Sequence, residues 1–127
     1  MIRLVFVFLF LLFFNGFSFA NTNEHLAYLV DQLVTEQQAE GIEENIDAGA
    51  VVARFYQTRG FQPLWNNPDR VERMLEELEL ASAEGLNPED YHYSYLRDLQ
   101  EVLKGKPSAS QKAEFELLMT DALMVYG

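Results

Sequence analysis

Leu117–Tyr126 reads LLMTDALMVY, with only Thr120 and Asp121 polar in ten residues. At a helical period this segment is apolar nearly all round. Such a helix must be covered on several sides, not on one face. A domain of about one hundred residues has limited material for that cover, and no polar tail follows Gly127. The expectation is that further chain, or a partner, covers this helix.

The first twenty residues read as a secretory signal peptide. Arg3 is the positive start, Leu4–Phe14 is an unbroken apolar run of eleven residues, and Ser18-Phe19-Ala20 offers small residues for cleavage after Ala20. The run is short for a membrane span, which wants about 20 apolar residues. An uncleaved inner-membrane anchor is the other reading. The remaining Asn21–Gly127 has eight basic and twenty acidic residues, net −12, and the chain has no Cys. That charge repels phosphates, so nucleic acid is excluded as a partner. Export without disulfides fits a bacterial envelope, and thiolate nucleophiles and Cys metal sites are excluded together.

Helical periodicity dominates the mature part. Leu26, Leu29, Val30, Leu33 and Val34 predict a helix over Asn23–Gln38 with Asn23 as its cap. A second helix is predicted from Asp47, with Ala48, Val51, Val52, Phe55 and Tyr56 inward and Gly60 as a left-handed stop. Asn67-Pro68 starts a third, carrying Val71, Met74, Leu75 and Leu78 and closing at Glu84-Gly85. Asn87-Pro88 opens a turn, and Ser94 caps a helix with Leu96, Leu99, Val102 and Leu103 inward. Gly105-Lys106-Pro107 breaks it, and Ser108 with Gln111 forms a capping box for the last helix.

Between the second and third helices lies FYQTRGFQPLW, Phe55–Trp65, which ends on the chain's one Trp. Phe61–Trp65 reads as extended, since Pro63 biases Gln62 away from helix. The expected fold is all-α: a small orthogonal bundle of four to five short helices with one short extended segment. The expected core is Leu29, Leu33, Val52, Phe55, Phe61, Leu64, Trp65, Leu75, Leu78, Leu86, Leu99, Phe115, Leu118 and Ala122.

No constellation of catalytic residues emerges. His92, between Tyr91 and Tyr93, is a general base in principle, but no nucleophile lies near it in sequence, and a structural or exposed role is expected. His25 is expected in solvent, and the two His lack metal-ligand spacing. Carboxylate pairs occur at Glu43-Glu44, Glu76-Glu77 and Glu89-Asp90. A glycan hydrolase needs two carboxylates about 5–10 Å apart in a cleft. The first two pairs read as solvated surface, and the third complements a helix start. Tyr91–Tyr95 reads either as core plugs or as a binding surface. No residue is assigned to catalysis, a cofactor or a metal.

The order FY-x-x-R-x-x-x-P-x-W, amphipathic helix, GL-x-P-x-x-Y, then an apolar helix is carried by Phe55, Tyr56, Arg59, Pro63, Trp65, Gly85, Leu86, Pro88 and Tyr91. Over Ala50–Tyr126 it resembles the N-terminal scaffold domain of the large periplasmic murein L,D-transpeptidases of Gram-negative bacteria. With residues 1–20 read as signal peptide, the resemblance implies that residues 21–127 are a partial scaffold domain. It implies a periplasmic protein of peptidoglycan 3–3 cross-linking and cell wall biogenesis. The family's catalysis uses a Cys in a separate C-terminal domain, and this Cys-free chain is non-catalytic alone. The implied partner is that catalytic domain, or another periplasmic protein, on the apolar last helix, with indirect peptidoglycan association. The alternative is a free-standing acidic periplasmic adaptor.

Overall fold

Asn67 begins α3, Pro68–Leu80, as its sequence dictates: its side chain accepts hydrogen bonds from the amides of Asp69 and Arg70, and Pro68 fills the first helical position. The computed structural model describes residues 21–127, and the predicted signal peptide lies outside the described residues. Among the described residues there are five α-helices and no strand. The others are α1, Asn21–Glu36; α2, Gly49–Thr58; α4, Tyr93–Leu103; and α5, Ala109–Tyr126. Two short 3-10 turns, Ala81–Glu84 and Pro88–Tyr91, join α3 to α4. None of the described helices is long and apolar enough to cross a membrane.

The helix boundaries follow local chemistry. Gly60 (φ +64°) ends α2 in the left-handed region, where the missing Cβ removes the steric penalty. Its amide bonds to the Gln57 carbonyl, and the Phe61 amide bonds to the Tyr56 carbonyl. This is the paired closure of a Schellman turn. Phe61 itself has φ +59°, so it continues that turn, and the predicted extended segment begins only after it. The Ser108–Gln111 capping box at α5 has both of its hydrogen bonds.

Three predicted starts move. α1 already begins at Asn21, so Asn23 lies inside the helix, and left-handed Gln37 stops it early. α2 begins at Gly49 because the amides of Asp47 and Ala48 are held by the Asp121 carboxylate. Ser94 does not cap α4. The helix starts one residue before it, after left-handed His92, and the Ser94 hydroxyl donates to Glu89.

Two apolar clusters share α5. Leu26, Leu29, Val30 and Leu33 of α1 and Val52, Ala53 and Tyr56 of α2 pack with Ala113 and Leu117. Trp65, the α3 stripe, Tyr91, Leu96 and Leu99 pack with Phe115, Leu118, Met119 and Ala122. The fifth helix is therefore the axis of the bundle, touched by α1, α2, α4 and the Pro88–Tyr91 turn. The chain's own elements bury this helix from Phe115 to Ala122, while Leu123, Met124 and Tyr126 are half-buried and Val125 is 40% exposed.

The predicted core is otherwise largely right. Phe55, Phe61 and Leu64 are half-buried against it. Leu86 is the error, 42% exposed, because its amide closes the turn at Gly85 onto the Ala81 carbonyl while its side chain stays in solvent. Val34, Val51 and Val102, read as inward, are also exposed, since each sits beside the buried stripe of its helix.

Leu75 is fully buried and Leu80, on the same helix, is 60% exposed. Leu75→Ala should lower stability by about 2–5 kcal/mol. Leu80→Ala should change it by no more than about 0.5 kcal/mol. Urea denaturation of the two variants checks the contrast.

Candidate functional site

The polar groups of the interior gather along α5. Glu116 and Thr120 are one helical turn apart, so they share a face. That face meets Tyr56 of α2 and the segment Leu64–Trp65. The amides of Leu64 and Trp65 donate to the Glu116 carboxylate at 3.0 and 2.8 Å. The Tyr56 hydroxyl reaches the same carboxylate at 2.8 Å. Thr120 Oγ1 lies 2.6 Å from the Tyr56 oxygen and accepts from the Trp65 indole at 2.9 Å. The donor inventory then has one consistent order. The indole donates to Thr120, Thr120 donates to Tyr56, and Tyr56 donates to Glu116.

Burial first, and then the neighbouring Glu116 charge, push the Tyr56 hydroxyl well above its ordinary pKa. It therefore stays protonated and remains a donor. Arg59 completes the joint from outside. Its guanidinium donates to the carbonyls of Gln62 and Pro63 and lies over the Phe55 ring.

A second group lies one residue further along α5. Asp121, fully buried, accepts from the amides of Asp47 and Ala48 at 3.3 and 2.7 Å. It also meets His92 Nε2 at 2.7 Å. His92 Nδ1 meets Glu44 at 2.9 Å. His92 is 4% exposed and has φ +61°, a left-handed conformation in which His is enriched among non-glycine residues. Burial acts to lower the His92 pKa, but the hydrogen bonds and charges of Asp121 and Glu44 outweigh it and raise the pKa above the ordinary value.

This arrangement holds a structure together and has no free reacting atom. Both ring nitrogens of His92 are engaged by carboxylates, which leaves neither as a base for a substrate. Glu116 is engaged at both oxygens by three donors. Glu44 and Asp121 approach opposite sides of one ring, and among the described residues no three His, Asp or Glu side chains converge on a common metal position. Every buried side-chain polar atom among the described residues has a hydrogen-bond partner.

The residues singled out from sequence fall differently. His92 is structural. His25 is half-buried beside Tyr28, not free in solvent. Glu76 and Glu77 are exposed, as are Glu89 and Asp90 at the start of the second 3-10 turn. Glu44 departs from the solvated reading of Glu43-Glu44, because it closes on His92. Tyr91 is buried edge-on to Tyr126, and Tyr93 and Tyr95 are half-buried against the core, so the cluster serves mainly as core plugs. Glu116 was missed. Its signal is a carboxylate flanked by Phe115 and Leu117 at the start of the apolar run.

A family model described as a scaffold domain matches residues 50–127. Neither a curated protein nor a solved structure matches the chain.

Glu116→Ala should strand two backbone amides and the Tyr56 hydroxyl and lower stability by about 3 kcal/mol or more, read by thermal unfolding. Trp65→Ala should cost about 3–5 kcal/mol. Because its folded-state pKa is raised, His92 contributes stability that is full below about pH 6.5 and is lost as pH rises through the raised value. The unfolding midpoint should therefore fall as pH rises above about 6.5, and His92→Gln should flatten that slope.

Proposed function

The chain belongs to the scaffold-domain family, and on that premise we propose that it is the non-catalytic helical scaffold of an exported L,D-transpeptidase system. In this reading it works in the periplasm of a Gram-negative bacterium, in peptidoglycan 3–3 cross-linking and cell wall biogenesis. The observation that carries the reading is the use made of the family-like motif. Tyr56, Arg59, Pro63 and Trp65 all lie at the joint between α2 and α5, each hydrogen-bonded within it. A motif whose side chains are used up in holding helices together suits a scaffold and leaves the chemistry elsewhere. The chain has no Cys for an acyl-enzyme thioester, so the transpeptidation itself belongs to a separate domain.

The apolar run Leu4–Phe14 after Arg3 supports export. The net charge of −12 after residue 20 supports a soluble domain that avoids anionic surfaces.

Mixing the chain with a recombinant Cys-containing L,D-transpeptidase domain of the same organism tests the reading. The two should form an equimolar complex in sedimentation. The mixture should convert disaccharide-tetrapeptides into 3–3 linked dimers by mass spectrometry, and the chain alone should yield none. Failure of the two to associate would count against the proposal.

A further inference from the structure

Trp65 has a second side. Its indole nitrogen points inward to Thr120, while its ring also borders a surface groove. Two adjoining cavities of about 270 and 220 Å³ share Trp65, Asn66, Leu103 and Phe115, so they form one continuous trough between the Trp65 segment, the end of α4 and the start of α5. Lys112 lines one cavity and Lys104 the other.

The placement of these lysines is unusual for this chain. It has three lysines in all, Lys104, Lys106 and Lys112, against twenty acidic residues. Two of the three line this trough. Glu116 is the one acidic residue in its walls, and its carboxylate is turned inward to Leu64, Trp65 and Tyr56. Lys104 pairs with Glu101 at 2.7 Å, but both side chains are mostly exposed. An exposed pair is weak enough for the lysine to change partner. The trough thus has an apolar floor of small open area, since Trp65 and Phe115 are largely buried, flanked by Lys112 and by the Lys104–Glu101 pair in a strongly negative surface.

We propose that this groove binds an acidic peptide segment. One or two of its apolar side chains sit over Trp65, Leu103 and Phe115, and flanking carboxylates meet Lys104 and Lys112. Charge complementarity selects this occupant. A basic segment would be drawn to the acidic remainder of the surface and would meet lysines here. The apolar floor supplies the affinity, and the lysines fix which segments are accepted. The groove shares Trp65 and Glu116 with the buried polar network but opens on the other side of them, and the assignment stands independently of the cell-wall reading.

Trp65 is the chain's one Trp, so the groove carries its own reporter. The full chain is titrated with a capped peptide alternating aspartate or glutamate with leucine and phenylalanine, followed by Trp fluorescence and calorimetry. A saturable change is expected. The double variant Lys104→Glu, Lys112→Glu should bind about fivefold more weakly or worse, with an unchanged circular dichroism spectrum and unfolding midpoint. A peptide with lysines in place of the acidic residues should bind the parent chain weakly and the double variant more tightly. No saturable signal by either method would overturn the proposal. So would equal affinity for both peptides. Concentration-dependent dimerisation abolished by the double variant would also overturn it, by assigning the groove to a second copy of the chain.

Discussion

The carboxylate of Glu116 sets the register of the whole bundle. The fifth helix is apolar on nearly every side, so hydrophobicity alone gives it no preferred rotation between its two clusters of neighbours. An ionised carboxylate inside a protein is costly unless donors surround it. Glu116 finds them only where the amides of Leu64 and Trp65 and the hydroxyl of Tyr56 converge. Turning the helix by one residue would leave the charge among methyl groups. The same turn would carry Thr120 away from the indole and Asp121 away from His92. Packing makes the helix central, and the polar groups decide which way it faces.

Asp121 extends this logic to the rest of the chain. It meets the amides at the threshold of α2, where negative charge is favoured, and it meets His92 at the threshold of α4. Glu44 then ties the loop after α1 to the same ring. One side chain of the central helix thereby locates a loop and the starts of two helices. His92 occupies a left-handed conformation that most residues avoid, and the two carboxylates offset that local penalty.

Much of the local structure was legible in the sequence, because it depends on neighbours in the chain. Asn67-Pro68, Asn87-Pro88, Ser108 with Gln111, and Gly60 each act within a few residues, and each does what its chemistry requires. The α3 stripe was equally plain. The cross-links were not legible. Glu116 meets partners 51 to 60 positions away, and His92 meets Glu44 across 48. Periodicity carries no record of such pairings. It also misjudged Val34, Val51 and Val102, since an apolar residue flanking a stripe looks the same in sequence whether or not a neighbour covers it. Nor does periodicity show that two separate groups of amphipathic faces close on one helix, α5.

The central position of α5 has a consequence for the order of events in folding. The axis of the bundle is the last helix in sequence, Ala109–Tyr126, and α1, the first, packs directly on it. The two apolar clusters cannot close until that helix has left the ribosome. Contacts that span most of the chain make closure slow, since the intervening loop must be ordered before they form. Until then α1 and α2 can pack on each other but lack the helix that completes their cluster. A chain built this way joins its two apolar clusters only once the helix they share has been made.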